Sequence, residues 1–117
     1  MENRYKIVHL LGSVKDNEDI FRFVELKLTK MGYIVFAPVI YNYAVYKQNK
    51  EMTDEMCEQK LNMSDFCVVV NPQHIGESTR KRIEQCFILN KAVYFWQNGH
   101  LTLVNEYDWY NILKKDD

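Results

Sequence analysis

The feature that most constrains the fold is a short, uninterrupted apolar run near the middle of the chain, Phe66-Cys67-Val68-Val69-Val70, which ends at Asn71-Pro72. β-Branched residues favour strands, and a strand without polar alternation is covered on both of its faces. Such strands are typical of parallel sheets, because the crossover helices of those sheets pack on both sides. The run therefore predicts a central strand of an α/β protein.

Segments typical of strands and helices alternate along the rest of the chain. The other strand-like segments are residues 5–11, 33–37, 92–96 and a short edge segment at 101–104. The first helix-like segment is capped by Asp16 or Asn17 and ends at Gly32. The other helix-like segments are residues 53–63, 78–89 and 106–115. A helix between two buried strands favours parallel pairing with a right-handed crossover. We expect a single α/β domain over residues 1–117 with a mostly parallel sheet of four or five strands.

The first helix shows the apolar periodicity most clearly. Ile20, Val24, Leu28 and Met31 recur at spacings of four, four and three. These spacings place the four side chains on one side of a helix. We expect that side to pack on the sheet.

Composition excludes several classes of function. With 15 basic and 16 acidic residues the net charge is −1, so no general positive field attracts a nucleic acid polymer. The start of the chain reads as neither a signal peptide nor a membrane anchor, so a cytoplasmic location is expected. Cys57, Cys67 and Cys86 lack the paired spacing of zinc or redox sites and are interpreted as reduced packing residues. No metal and no cofactor is predicted.

The carboxyl edge of the sheet is the predicted place for a ligand, because helix N-termini and loop amides converge there in open α/β sheets. Gly12 and Ser13 follow the first strand, and a glycine there lets the backbone approach a ligand. The other interpretation of Gly-Ser is an ordinary turn.

A second candidate segment enters the third helix-like segment. It offers amides, hydroxyls and a guanidinium suited to an anion, from Asn71, Gly76, Ser78, Thr79 and Arg80. Ser78 could equally be only the helix cap. A third segment, the aromatic stretch with Tyr41, Tyr43 and Tyr46, would either stack on a base or pack on another subunit.

Several polar residues have structural interpretations. His9 lies within a strand and is expected to be a core residue with satisfied polar atoms, whereas His74 lies on the site loop and is a candidate for acid–base chemistry, although a bystander role is favoured. Asp65 precedes the central strand, where a capping role is expected. Lys81, Arg82 and Glu84 are interpreted as a solvated helix face.

Three segments together resemble the nucleoside 2-deoxyribosyltransferase-like proteins. They are residues 9–13, residues 54–65 and, most specifically, Ile75-Gly76-Glu77-Ser78-Thr79-Arg80 after the valine-rich strand. The resemblance covers residues 5 to about 96. It implies a three-layer flavodoxin-like or Rossmann-like fold related to SLOG-type nucleotide-binding domains, with a nucleoside or nucleotide at the strand edge.

The resemblance also implies a nucleophilic glutamate early in the third helix, which attacks the anomeric carbon of a deoxyribose. Counting back from the helix end places that residue at Arg82, and counting forward from Gly76 places it near Arg80. An arginine stays protonated and cannot act as a nucleophile. Glu77 is then the candidate nucleophile, with Tyr41 or His74 assisting.

Three hypotheses follow. The chain cleaves or transfers the N-glycosidic bond of 2-deoxynucleosides or their monophosphates. Alternatively, it is a catalytically silent nucleotide-binding module in which Arg80 or Arg82 holds a phosphate. In the third, the tyrosine-rich stretch marks the interface of a homo-oligomer. The expected partners are a small-molecule nucleoside or nucleotide and further copies of the chain, with no membrane.

Overall fold

The structure is a computed structural model that describes residues 4–14, 17–38 and 49–115. The strands are β1 (Ile7–Leu11), β2 (Ile34–Phe36), β3 (Phe66–Val69), β4 (Ala92–Gln97) and β5 (His100–Val104). The helices in these ranges are α1 (Glu18–Lys30), α2 (Lys50–Met63), α3 (Glu77–Ile88) and α4 (Glu106–Lys115). None of these helices has the length and apolar character needed to cross a bilayer.

The sheet has the strand order β2-β1-β3-β4-β5. The first four strands are parallel, and β5 is antiparallel to β4. This order is that of flavodoxin-like proteins, so the predicted three-layer α/β fold with a mostly parallel sheet is confirmed. β5 is reversed because Asn98 and Gly99 have φ values of +53° and +78° and form a two-residue hairpin turn.

The core is divided between the two faces of the sheet. On one face, α2, α3 and α4 pack over Leu11, Cys67 and Val69, with Trp109 of α4 buried at the centre. On the other face, α1 packs over a second group of buried strand residues, which are Val8, Leu10, Val68 and Val70. Alternate residues of β3 thus enter both cores, as the uninterrupted apolar run predicts.

The buried side of α1 differs from the predicted side. Phe21, Val24 and Leu28 are fully buried, whereas Ile20 and Met31 are 43% and 57% exposed. The prediction that Ile20 and Met31 face the sheet is therefore wrong. Phe21 takes the inward position, because an aromatic ring removes more apolar area from water than the smaller side chain next to it.

Local hydrogen bonds correct one predicted cap and confirm another structural role. Gly76 is the N-cap of α3 and the helix begins at Glu77, so Ser78 lies inside the first turn and is not the cap. Asn17 is the N-cap of α1, but its Nδ2 donates to the Ser13 carbonyl. Asp65 Oδ2 accepts a hydrogen bond from the Ile7 N–H at 2.7 Å, which confirms its structural role.

Candidate functional site

The carboxyl ends of β1 and β3 form the switch point of the sheet. β1 lies between β2 and β3, and the chain leaves β1 toward α1 on one face but leaves β3 toward α3 on the other. Loops that depart in opposite directions leave a crevice, which is where open α/β sheets bind ligands. The structure thereby brings Gly12 and Ser13 next to Asn71.

Asn71 links the two loops of this crevice. Its side chain is buried, and its Nδ2 donates a hydrogen bond to the Ser13 carbonyl 3.3 Å away. Gly12 has a φ of +138°, and a Cβ there would collide with Asn71 Oδ1. Position 12 therefore requires glycine for both its backbone conformation and its close approach.

The first turn of α3 contributes backbone donors to the same edge. Its first intrahelical hydrogen bond runs from the Arg80 N–H to the Gly76 carbonyl at 2.9 Å. The N–H groups that precede Arg80 in the turn have no acceptor within the helix. Ser78 is exposed and Thr79 is buried. The amides and the helix dipole together favour an anion at this turn.

The charged and imidazole side chains predicted for the site, those of Glu77, Arg80 and His74, are exposed. Glu77 is 84% exposed, with Oε1 3.6 Å from Lys81 Nζ. Arg80 is 53% exposed, with Nε 3.5 Å from Glu84 Oε1, and His74 is exposed on the loop before α3. Exposed pairs one helical turn apart are worth only tenths of a kcal/mol. Tyr41 lies outside the described residues.

Sequence reasoning misses a polar cluster between β1, α2 and α3, which we call the α2–α3 cluster. Its members are His9, Asp54, Lys60 and Arg82. The Nη2 atom of Arg82 lies 3.5 Å from Asp54 Oδ1 and donates to the Asp54 carbonyl at 3.4 Å. Lys60 Nζ donates to the Ala37 carbonyl, just past the end of β2, at 2.8 Å. The cluster therefore lies against the middle of β1 and reaches the carboxyl end of β2.

Three nitrogen atoms of this cluster are buried without a hydrogen-bond partner in the part of the chain that the structure describes. They are both ring nitrogens of His9 and Nε of Arg82. His9 is only 1% exposed and the Arg82 side chain 18%. An unpaired buried polar group costs about 1–3 kcal/mol, and such groups in native proteins call for a functional explanation.

The two sequence expectations for these residues need correction. His9 is a core residue, but within residues 4–14, 17–38 and 49–115 neither ring nitrogen has a hydrogen-bond partner, contrary to the prediction that its polar atoms are satisfied. The prediction that Arg82 lies on a solvated face is also wrong, because its guanidinium reaches across to α2.

The α2–α3 cluster holds two cations, Lys60 and Arg82, and one carboxylate, Asp54. Asp54 is the only carboxylate among the four residues, and Lys50 Nζ, 2.7 Å from its Oδ2, shares it with Arg82. Lys60 adds a further cation. Burial, and then the positive charges of Lys60 and Arg82, lower the pKa of His9 to about 3, so its imidazole is neutral near pH 7. The cations of Lys60 and Arg82 suit an anionic ligand group.

The sequence holds a weak signal for this cluster. Thr79, Arg82 and Cys86 stand at spacings of three and four, which puts Arg82 in line with two buried residues. On β1, His9 is two residues before Leu11 and so points to the same face of the sheet. Neither spacing shows that the two positions meet, since that depends on how α2 and α3 pack.

The cysteines and the acidic residues suggest no other reaction centre. Cys67 and Cys86 are buried free thiols, and Cys57 is a half-buried one. Across residues 4–14, 17–38 and 49–115, no three His, Cys, Asp or Glu side chains converge as metal ligands would. Comparison of the chain with protein-family models, curated proteins and solved structures finds no match.

Proposed function

We infer that the chain binds a nucleotide in the crevice between β1 and β3, with the phosphate directed toward Arg82. The single observation that carries this proposal is the buried Nε of Arg82, which has no hydrogen-bond partner among the described residues and lies in one cluster with the cation of Lys60. The resemblance of residues 75–80 to nucleoside 2-deoxyribosyltransferase-like proteins supports the nucleoside part of the ligand. The cations of Lys60 and Arg82 support the phosphate part.

The two arginines that the sequence left as alternatives have different surroundings. Arg80 is half exposed and forms an ion pair with Glu84, which lies one turn further along the same helix. Arg82 is largely buried, and its Nη1 and Nη2 atoms are held by carbonyls of Ser78 and Asp54. A guanidinium fixed in this way loses little conformational entropy when a phosphate binds. Arg82 is therefore the better phosphate ligand.

Binding is better supported than glycosidic cleavage. A carboxylate nucleophile is activated by a fixed geometry and by an environment that excludes water. Glu77, the candidate nucleophile, is instead 84% exposed and lies near Lys81. Cleavage or transfer of the N-glycosidic bond remains the second candidate function, and it rests on the family resemblance alone.

Calorimetric titration with 2-deoxynucleosides and their 5′-monophosphates tests the proposal. We expect monophosphates to bind more tightly than nucleosides, by about tenfold or more. Arg82→Met should remove that preference and leave nucleoside binding nearly unchanged. Arg80→Met is the matched control and should keep the preference.

Two results would contradict the proposal. One is the absence of binding by either ligand class to the wild-type protein, which would favour an interaction protein. The other is an equal loss in both arginine variants, which would indicate a diffuse charge effect. Chromatography of the same mixtures, with Glu77→Ala as control, detects base release or exchange and so tests the second candidate function.

A further inference from the structure

The two faces of the sheet are covered unequally. α2, α3 and α4 all pack on one face, whereas α1 is the helix that packs on the other face within the described ranges. α1 covers β1, β2 and β3. The part of this face formed by β4 and β5 is left with apolar side chains in contact with solvent.

These apolar side chains meet the outer side of α1 at the ring contact between Trp96 and Phe23. On the strands they are Tyr94, Trp96, Leu101 and Leu103, of which Leu103 is 58% exposed. Tyr94 pairs with Leu103 and Trp96 with Leu101, so the four share a face. On the helix they are Ile20, Phe23 and Leu26, each more than 40% exposed. We call this surface the α1–β5 surface.

Phe23 joins the two halves of the α1–β5 surface. Its ring meets the ring of Trp96 edge to face, with centroids 6.4 Å apart, yet 58% of the residue remains exposed. Monomeric proteins rarely leave several large apolar side chains exposed in one contiguous patch. Aromatic residues at the centre of such a patch are typical of interface anchors.

The charges on α1 indicate what covers the surface. Asp19, Phe23 and Lys27 stand four residues apart and so form one row along the helix. Asp19 is in the first turn and Lys27 in the last turn. Neither has an ion-pair partner in the described part of the chain. A second α1 running in the opposite direction would place its Lys27 against Asp19 and its Asp19 against Lys27.

We propose that two copies of this chain associate through the α1–β5 surface, with their α1 helices antiparallel and a two-fold axis near Phe23. Such an arrangement is self-complementary, as a two-fold interface must be. It places Phe23 of one copy against Phe23 of the other at the axis. On either side of the axis, Ile20 of one copy lies beside Leu26 of the other. The proposal is independent of nucleotide binding, because the α1–β5 surface excludes the crevice residues.

Sedimentation velocity between about 1 and 200 µM measures the oligomeric state directly. We expect a dimer of the 14.1 kDa chain. Phe23→Lys should raise the dissociation constant at least tenfold, because it places like charges at the axis. Ile88→Lys is the matched control, since Ile88 is 79% exposed on α3, on the opposite face. Circular dichroism melts verify that each variant is folded.

A charge-reversal cycle tests the orientation. Asp19→Lys and Lys27→Asp should each weaken the dimer, and the double variant should restore it, because the double exchange recreates both opposite-charge pairs. A wild-type monomer over the whole concentration range would overturn the proposal. The proposal would also be overturned if Ile88→Lys dissociated the dimer and Phe23→Lys did not. The same holds if the double variant dimerised no more tightly than the two single charge variants.

Discussion

The side-chain amide of Asn71 donates a hydrogen bond to the Ser13 carbonyl, across the gap between the loops that follow β3 and β1. Asn71 is 3% exposed, and its Oδ1 occupies the space that a Cβ at Gly12 would need. The two loops therefore cannot be changed independently. The geometry of the candidate crevice depends on this contact.

Exchange of Gly12 for alanine should destabilise the protein by about 2–4 kcal/mol, because it adds a collision with Asn71 to an unfavourable φ of +138°. Asn71→Ala removes the hydrogen bond and should cost about 1–2 kcal/mol. In the double variant the collision is absent, so its loss should be smaller than the sum of the single losses. Urea denaturation measures all three. If the loss of stability in the double variant equalled the sum of the two single losses, the collision would have to be relieved in another way.

His9 should make the protein less stable as the pH falls below 6.5. Its pKa is about 3 in the folded protein and 6.5 in the unfolded chain, so between these values the unfolded chain binds a proton that the folded protein does not. This difference costs up to about 1.4 kcal/mol per pH unit. Stability measured from pH 7 to 4 should fall less steeply in His9→Met than in the wild type.

The same His9→Met variant should be as stable as the wild type at pH 7 or more stable, by about 1–3 kcal/mol. The substitution retains the volume and removes two buried nitrogens that have no hydrogen-bond partner in the described ranges. His100→Gln is the control, since it removes an imidazole at an exposed position of β5. An unchanged slope in His9→Met would contradict the proposed burial of His9 as a neutral imidazole.

The side chain of Lys91 stabilises the carboxyl end of α2. Its Nζ donates to the carbonyls of Leu61, Asn62 and Ser64 at 2.8, 2.8 and 2.6 Å. A cation that satisfies the last carbonyls of a helix also interacts favourably with the helix dipole. Lys91→Met should therefore lower the free energy of unfolding by about 1–3 kcal/mol. The control Lys81→Met, which removes only an exposed pair with Glu77, should change it by less than about 0.5 kcal/mol.

The three thiols should differ in reactivity. Cys86 donates its S–H to Cys67 Sγ at 3.0 Å in the core between β3 and α3, and this hydrogen bond, together with burial, raises the pKa of Cys86. Thiolates are the reactive species, so the raised pKa protects Cys86 from alkylation. The same hydrogen bond lowers the pKa of Cys67, but Cys67 should also resist alkylation, because its side chain is fully buried and the reagent cannot reach it. Cys57 is only half-buried and should react first. Titration with a chromogenic disulfide should count one reactive thiol in buffer and three in urea.

The site could be predicted only in part. Gly12, Ser13, Asn71 and Gly76 were identified because each follows a strand or precedes a helix, and such positions meet at the carboxyl edge of any parallel sheet. His9, Lys60 and Arg82 were not identified as a group. They come from three elements far apart in the sequence, and their approach depends on how α2 and α3 pack together.

The amino-acid sequence alone determined the class of fold, because the uninterrupted valine-rich run and the alternation of strands with helices are local properties that favour a parallel sheet. It also determined the position of the crevice, since the turn residues follow the strands directly. Only the tertiary structure decided which side of α1 is buried, that β5 is antiparallel, and that His9 lies near two cations. These outcomes depend on competition for area in the core and on contacts between distant segments, for which a local pattern holds no information.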